Sequence, residues 1–458
     1  MGLTNLHEKT KQEPEYEVGM IRRPIGEIEA GIPPFKPGLA YTSPARGHWT
    51  IAHTPMLIPG CYMIYLCANA CMRGVVLSSL EYGGMDRFSM IMLYDKDIYE
   101  GNLEQMMIDG ICEIIEKQPE HPPMVIAFTS CIHHFLACDQ NYIFRTLRAH
   151  YPDIDFLPGA MIPTIRKGQI TPEEMLQITL YGALEKQEQF EERSVNIIGC
   201  NYPHDPGSDL YRMLAGAGFL VRDLPAMKVY AEYKDMAKSR VNFYTAPVAH
   251  RSAKKLEKRL GQQAVYVPAT CSFSSIKREL ALAAETLAIE LPDLDAWEAQ
   301  AEAVLAKAKA VIGDAYIAID HEVIPHFISM ARMLAEHGFC VREIYADFAL
   351  PEEEEDLRWL QEHHPEITYC ATTNYACRLA DCGLATRADR PVLAIGQKAA
   401  YFTGTNHFVN MQEYNGLWGF TGICRLADLM IEAFQTESDV PELIQVKGLG
   451  CSAEGCCL

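Results

Sequence analysis

Residues 194–221 read SVNIIGCNYPHDPGSDLYRMLAGAGFLV, and this stretch decides the fold class. SVNII is a short apolar run with no alternation, the pattern of a strand buried on both faces. GCNYPHDPGSD is a turn built from Gly, Pro, Asn and Asp. LYRMLAGAG carries apolar residues at helical spacing and ends on Gly218, and FLVRDL starts the next strand at once. A strand, a helix and a second strand in so little chain make a parallel crossover unit.

The same grammar recurs outward from this stretch. Met124–Phe128 (MVIAF) lies between Pro123 and Ser130. Asp314–Ile319 (DAYIAI) is followed by the helical ISMARMLAEHG and then by FCVREIY, and Pro391–Ile395 (PVLAI) is a further strand. The expected class is α/β, with three doubly wound Rossmann-like domains on parallel sheets. Residues 274–309, rich in Ala, Leu and Glu, predict two helices broken near Pro292 that connect domains. The expected division is an N-terminal arm over 1–47, α/β domains over 48–190, 191–310 and 311–440, and a Cys-rich tail over 441–458. The acidic PEEEED at 351–356 reads as a solvated helix start, where carboxylates suit the helix dipole.

Forty Lys and Arg against 60 Asp and Glu give a net charge of −20. That sign disfavours nucleic acid or an anionic membrane as partner, since both need clustered positive charge. The first 20 residues are charged throughout and no long apolar run follows, so no membrane span and a cytoplasmic location are expected. Sixteen cysteines in a reducing compartment point to metal or cluster ligation more than to disulfides, although free cysteine is often a small core residue.

Open parallel sheets bind ligands beyond the carboxyl ends of their strands, so the cysteine-bearing turns are the candidates. In HTPMLIPGCYMIYLCANACMRG (53–74), Pro59-Gly60-Cys61 reads as a tight turn before a helix that carries Cys67 and Cys71 at i, i+4 on one face. In VIAFTSCIHHFLACD (125–139), Cys131 follows a buried strand and opens the next helix. A thiolate at a helix N-terminus has a lowered pKa and ligates metal better. His133 and His134 sit beside it, as packing or hydrogen-bonding residues or as groups that deliver protons or tune a cluster.

The order strand–PGC–helix, then strand–SC–helix, resembles the nitrogenase component 1 superfamily. So do residues 194–221, HRSAKKLEKRLG from His250, and PVLAIGQKAAYFTGTNHFVNMQEYNGLWGFTGICRLADLM from Pro391. The resemblance spans residues 48 to 435. It implies the three-domain fold of nitrogenase component 1 and a [4Fe–4S] cluster at a subunit interface, with Cys61 and Cys131 at ligand positions. It also implies an ATP-dependent iron protein as electron donor and a homodimer or heterodimer as the assembly. The family's upstream cysteine has no counterpart in PPFKPGLAYTSPARGHW (33–49), so Cys67, Cys71, another group or the partner chain completes the shell; two copies each of Cys61 and Cys131 make four thiolates.

Two departures limit the resemblance. Ala249 stands where nitrogenase carries a cysteine before the His-Arg-Ser triplet, and EYNGLWGFTG (413–422) lacks its histidine. Both molybdenum–iron cofactor anchors are therefore missing. The interdomain cavity is left for another metallocofactor or a tetrapyrrole or other substrate, near His250 and Trp418, with Arg73, Arg166 and Lys398 as anion partners and Trp418 able to stack on a flat ligand. No P-loop occurs, so ATP hydrolysis belongs to the partner. The expected function is a nitrogenase-like iron–sulfur reductase subunit. The alternatives are an assembly scaffold for a metal–sulfur cofactor without turnover and a cysteine-rich binding protein. The tail cysteines, Cys451, Cys456 and Cys457, stay unassigned between a metal clip and a reactive extension.

Overall fold

The computed structural model describes residues 21–36, 41, 43, 50–81, 83–162, 170–379, 383–445, 451–452 and 455–456. Arg166 and Cys457 lie outside these residues, and so do the side chains of Arg73, Cys451 and Cys456.

Three parallel sheets organise the chain. In chain order the strands are β1 (Arg22–Pro24), β2 (Cys61–Ala68), β3 (Phe88–Leu93), β4 (Met124–Ser130), β5 (Asp155–Met161), β6 (Glu191–Ile198), β7 (Leu220–Asp223), β8 (Ser239–Tyr244), β9 (Gln263–Tyr266), β10 (Tyr316–Asp320), β11 (Cys340–Tyr345), β12 (Thr368–Cys370), β13 (Val392–Ile395) and β14 (Phe408–Val409). The first sheet runs β3-β2-β4-β5, the second β7-β6-β8-β9 and the third β1-β12-β11-β10-β13-β14. Within these three sheets all pairings are parallel except that of β1, which adds antiparallel to the edge of the third sheet. The N-terminal segment thus reaches the far end of the chain and closes an edge that would otherwise expose unpaired amides.

Strand order matters for function. In each sheet the first parallel strand is central and later strands build out on both sides. The order therefore reverses between β2 and β4, between β6 and β8, and between β10 and β13. Such reversal points open crevices at the carboxyl ends of the strands, where open α/β sheets take their ligands.

The central strands are apolar because helices cover both their faces. Cys61, Met63, Tyr65 and Cys67 of β2 face one layer with Met72, Val75, Leu176 and Leu180. Tyr62, Ile64 and Leu66 face the other with Met107, Ile111, Phe144 and Leu147. This is period-2 alternation with both faces buried. It corrects the reading of Cys61 as the residue before a helix: CYMIYLCA is a strand, every residue from Cys61 to Cys67 is buried, and the helix Asn69–Glu81 follows it. Helices Phe273–Leu287 and Leu294–Ile312 flank Pro292, and the second packs on the helix Gly419–Gln435.

Candidate functional site: three thiols at the first crevice

At the first reversal point, β2 ends on Cys67-Ala68 and β4 runs into Cys131. Leu66 pairs with Thr129, so Cys67 is level with Ser130 and Cys131 is one residue further on. Cys71 lies in the first turn of the helix Asn69–Glu81. Cys67 is buried, Cys131 half-buried and Cys71 exposed. Burial pushes the Cys67 thiol up to about 12, and the neighbouring charges of Cys71 and Cys131 push it the same way. Its Sγ lies 3.3 Å from Met72 Sδ. Two strands and one helix start thus deliver three sulfurs to one crevice.

Cys61 is elsewhere. It pairs with Met124 at the opposite end of the same sheet, seven positions before Cys131 on the neighbouring strand, which is about 20 Å at the rise of a strand. It is fully buried, its thiol is pushed up to about 12 by desolvation, and it belongs to the core. The structure therefore does not bring Cys61 and Cys131 together, and the PGC turn is not the feature that meets the SC turn. The thiol that the register sets beside Cys131 stands at the end of the apolar run, not at its start.

Tyr65 and Phe128, partners in register, lie two or three residues below the thiols. Their rings stack at 4.3 Å, and the Tyr65 hydroxyl donates to the Ile51 carbonyl at 2.7 Å. They form a buried apolar layer below the thiols. His133, buried beside Cys131, accepts the Ser130 backbone N–H on Nδ1 at 3.2 Å. Burial lowers its pKa. Its Nε2 is buried without a hydrogen-bond partner. His134 is exposed.

Among the described residues no three His, Cys, Asp or Glu side chains come close enough to share one metal ion. Three thiols at the mouth of a crevice, one of them desolvated, fit a larger, sulfur-containing group better than a single ion. An iron–sulfur cluster spans several metal centres and takes thiolates from around its periphery.

The other candidates divide. His250 is exposed at the start of the helix His250–Leu260, directly after Ala249, and its Nδ1 is 2.9 Å from the Tyr244 hydroxyl. Trp418 is 2% exposed, and its indole N–H donates to the Val267 carbonyl at 3.3 Å, so it packs the core and offers no face to a flat ligand. Lys398 is also buried and donates to Glu322 Oε1 at 2.7 Å, so its charge is compensated within the protein. With Asp320, His321 and Glu322 it lines the third reversal point, between β10 and β13, and Glu322 was not singled out from sequence. The signal was there: Asp-His-Glu directly continues an apolar strand.

A family model described as nitrogenase component 1 type oxidoreductase matches residues 66–435. The chain belongs to that family. The match begins at Leu66, one residue before the first of the three converging thiols. Among solved structures, one described as nitrogenase Cp1 at pH 6.5 aligns with a TM-score of 0.66 and 12% identity, covering 88% of this chain and 94% of that one. A second, nitrogenase Cp1 at pH 5, aligns at 0.57 and 14%, covering 87% and 90%. At such identity the likeness speaks for the nitrogenase-like α/β fold. No curated protein matches. Membership in the nitrogenase component 1 type family supports an oxidoreductase role, and no helix among the described residues is long and apolar enough to cross a membrane.

Proposed function

We propose that this nitrogenase-like chain is the electron-accepting subunit of a reductase, with a [4Fe–4S] cluster held by Cys67, Cys71 and Cys131 at the first crevice. The observation that carries this is the convergence of those three cysteines from β2, the helix after it and the end of β4, with Cys67 sensing both of the others. Bound there, the cluster supplies one-electron transfer at low potential. The protein's own part is to bind it through three sulfurs, to exclude water with Tyr65 and Phe128, and to leave its outer side open. A cubane takes four protein ligands. Next to Cys131, Phe135 is 69% exposed and Leu136 49%, an apolar surface suited to a second subunit, identical or a sister chain, that supplies the remaining ligand. The donor is an ATP-dependent iron protein, and the substrate sits between the three sheets near His250.

Anaerobic reconstitution with iron and sulfide tests this reading. The expected result is four irons and four sulfides per cluster, with loss of the visible absorption in Cys67→Ala, Cys71→Ala and Cys131→Ala. A wild-type chain that takes up neither iron nor sulfide sinks the proposal. Addition of an iron protein with MgATP then separates a reductase, which turns over, from a scaffold, which passes its cluster on.

A further inference from the structure

His326 carries two ring protons, and the chain receives both. The residue lies beyond the end of β10 and is buried. Its Nδ1 is 3.0 Å from the carbonyl oxygen of Ala269, just past β9 of the second sheet. Its Nε2 is 3.1 Å from Glu352 Oε2, in the turn Pro351–Glu353 of the third unit. A carbonyl and a carboxylate can only accept, so both ring nitrogens carry hydrogen and the side chain is an imidazolium. The same Glu352 oxygen accepts the hydroxyl of Tyr266, the last residue of β9, at 3.0 Å. The His326 hydrogen bond, more than any other contact, holds the Glu352 carboxyl below the ordinary glutamate range. Two ties therefore run from one ring to the second sheet, one through Ala269 and one through Glu352 and Tyr266.

A neutral imidazole has a single N–H. Kept on Nδ1, it leaves the Nε2 lone pair facing the Glu352 carboxylate, which is half exposed and free to swing away, taking the acceptor from Tyr266. Kept on Nε2, it leaves the Nδ1 lone pair facing the Ala269 carbonyl. Either way one tie is lost. We propose that His326 is a proton-operated clasp between the second and third sheet units, closed as the imidazolium and half released on loss of one proton. The titratable groups that face the ring are Glu352 and Glu353 from the turn Pro351–Glu353 and Glu279 from the helix Phe273–Leu287. Tyr266 from β9 and His250 from the helix His250–Leu260 reach it through Glu352. Burial opposes the charge on His326, but the Glu352 hydrogen bond, the Glu353 carboxyl and the Ala269 carbonyl outweigh it, so its pKa stands above the ordinary histidine value. The clasp is then complete at lower pH and is lost as pH rises through the folded value. Glu353, pushed up to about 8 by burial, gains its charge in the same direction and defers the release. The clasp stands whatever the thiols of the first crevice hold.

The experiment compares the full wild-type chain with His326→Gln and Glu352→Gln, fold checked by circular dichroism. Nitrogen resonances of 15N-labelled histidine, assigned by their loss in His326→Gln, read the ring's protonation from about pH 6 to about pH 10. Hydrogen exchange of the peptide spanning 266–272, corrected for the chemical rate at each pH, reads the clasp. The expected ring is an imidazolium at about pH 7, where free histidine is mostly neutral. Protection should fall about tenfold as that proton leaves, the worth of one charge-assisted hydrogen bond. Glu352→Gln, whose amide can meet a neutral Nε2, should release at lower pH, and His326→Gln should show low protection with no step. A ring already neutral at about pH 6 overturns the inference, and so does a ring that titrates with no change in protection. An equal step in folded His326→Gln assigns the pH dependence to Glu353 or Glu279 and overturns it too. Should His326→Gln fail to fold, the ring is assigned as the one whose titration moves in Glu352→Gln, and a set of rings none of which moves there overturns the clasp.

Discussion

Cys67 closes β2 while Cys131 follows the adjacent β4, and charge on Cys131 raises the pKa of the Cys67 thiol. Cys61, in the same strand as Cys67, is at the other end of the sheet. The two ends make different predictions. Cys61→Ala should keep full cluster content and cost about 1 kcal/mol as a small core truncation. Cys67→Ala and Cys131→Ala should each lose most of their iron. Iron analysis paired with urea unfolding reads both, and a Cys61→Ala protein stripped of iron while still folded would contradict the assignment.

The error over Cys61 shows what sequence carries and what it hides. The α/β grammar was legible because buried parallel strands are short apolar runs bracketed by Gly and Pro, as at Met124 and Val392. CYMIYLCA has the same character, but its Cys67 stands at i, i+4 from Cys71, which also fits a helical face, and a preceding Pro-Gly looks like a helix start. Periodicity cannot separate the two in a short apolar run. Register was equally hidden: that Leu66 meets Thr129 depends on how strands pair, which no local pattern encodes. Trp418 looked available in a glycine-rich turn because glycine suggests openness, whereas here Gly416 and Gly419 let the backbone approach Pro203 and Asp209 closely and seal the indole inside.

Asp209 shows how the second and third sheet units are locked. Its buried carboxylate accepts the backbone N–H of Phe420 at 2.5 Å and of Thr421 at 3.3 Å, and the Thr421 hydroxyl at 2.5 Å. It caps, from outside, the helix Gly419–Gln435. Asp209→Ala strands these donors and should cost about 3 kcal/mol, by the usual size of a buried charge-assisted cap. Asp209→Asn keeps an acceptor and should cost about half as much. A lowered urea midpoint is the readout, and a wild-type midpoint in Asp209→Ala would refute the cap.

Gly396 follows β13 at φ 102°, a conformation that L side chains rarely adopt. A β-carbon there would run into the Asp320 carboxylate, which accepts the Ala399 backbone N–H at 2.9 Å. Gly396→Ala should therefore destabilise by about 3 kcal/mol through strain and displacement of Asp320. The neighbouring Gln397→Ala gives up only the hydrogen bond from its Nε2 to Asn410 Oδ1 and should cost about 1 kcal/mol or less. Thermal unfolding of the pair distinguishes a backbone requirement from a general intolerance of this turn.

Glu353 is the residue of the PEEEED run that is not solvated. It is 1% exposed, and its Oε1 accepts the backbone N–H of Ile328 at 2.8 Å and of Ser329 at 3.0 Å. Its Oε2 has no partner, and burial pushes its pKa up to about 8, only partly offset by nearby His326 and the two amides. The folded state then holds a proton that the unfolded chain releases near the ordinary glutamate value. Folding binds protons across that window, so this group's contribution to stability falls as pH rises from about 4.5 to about 8. Asp320, raised to about 6 by burial, acts in the same direction at lower pH. Glu353→Gln keeps the acceptor for both amides and removes the titration. Urea midpoints should therefore decline from about pH 6 to about pH 8 in wild type and stay flatter in Glu353→Gln, with the residual slope from Asp320 confined to lower pH. Parallel pH profiles for the two proteins would show that Glu353 is ionised in the folded state and that its charge is compensated by groups beyond these amides.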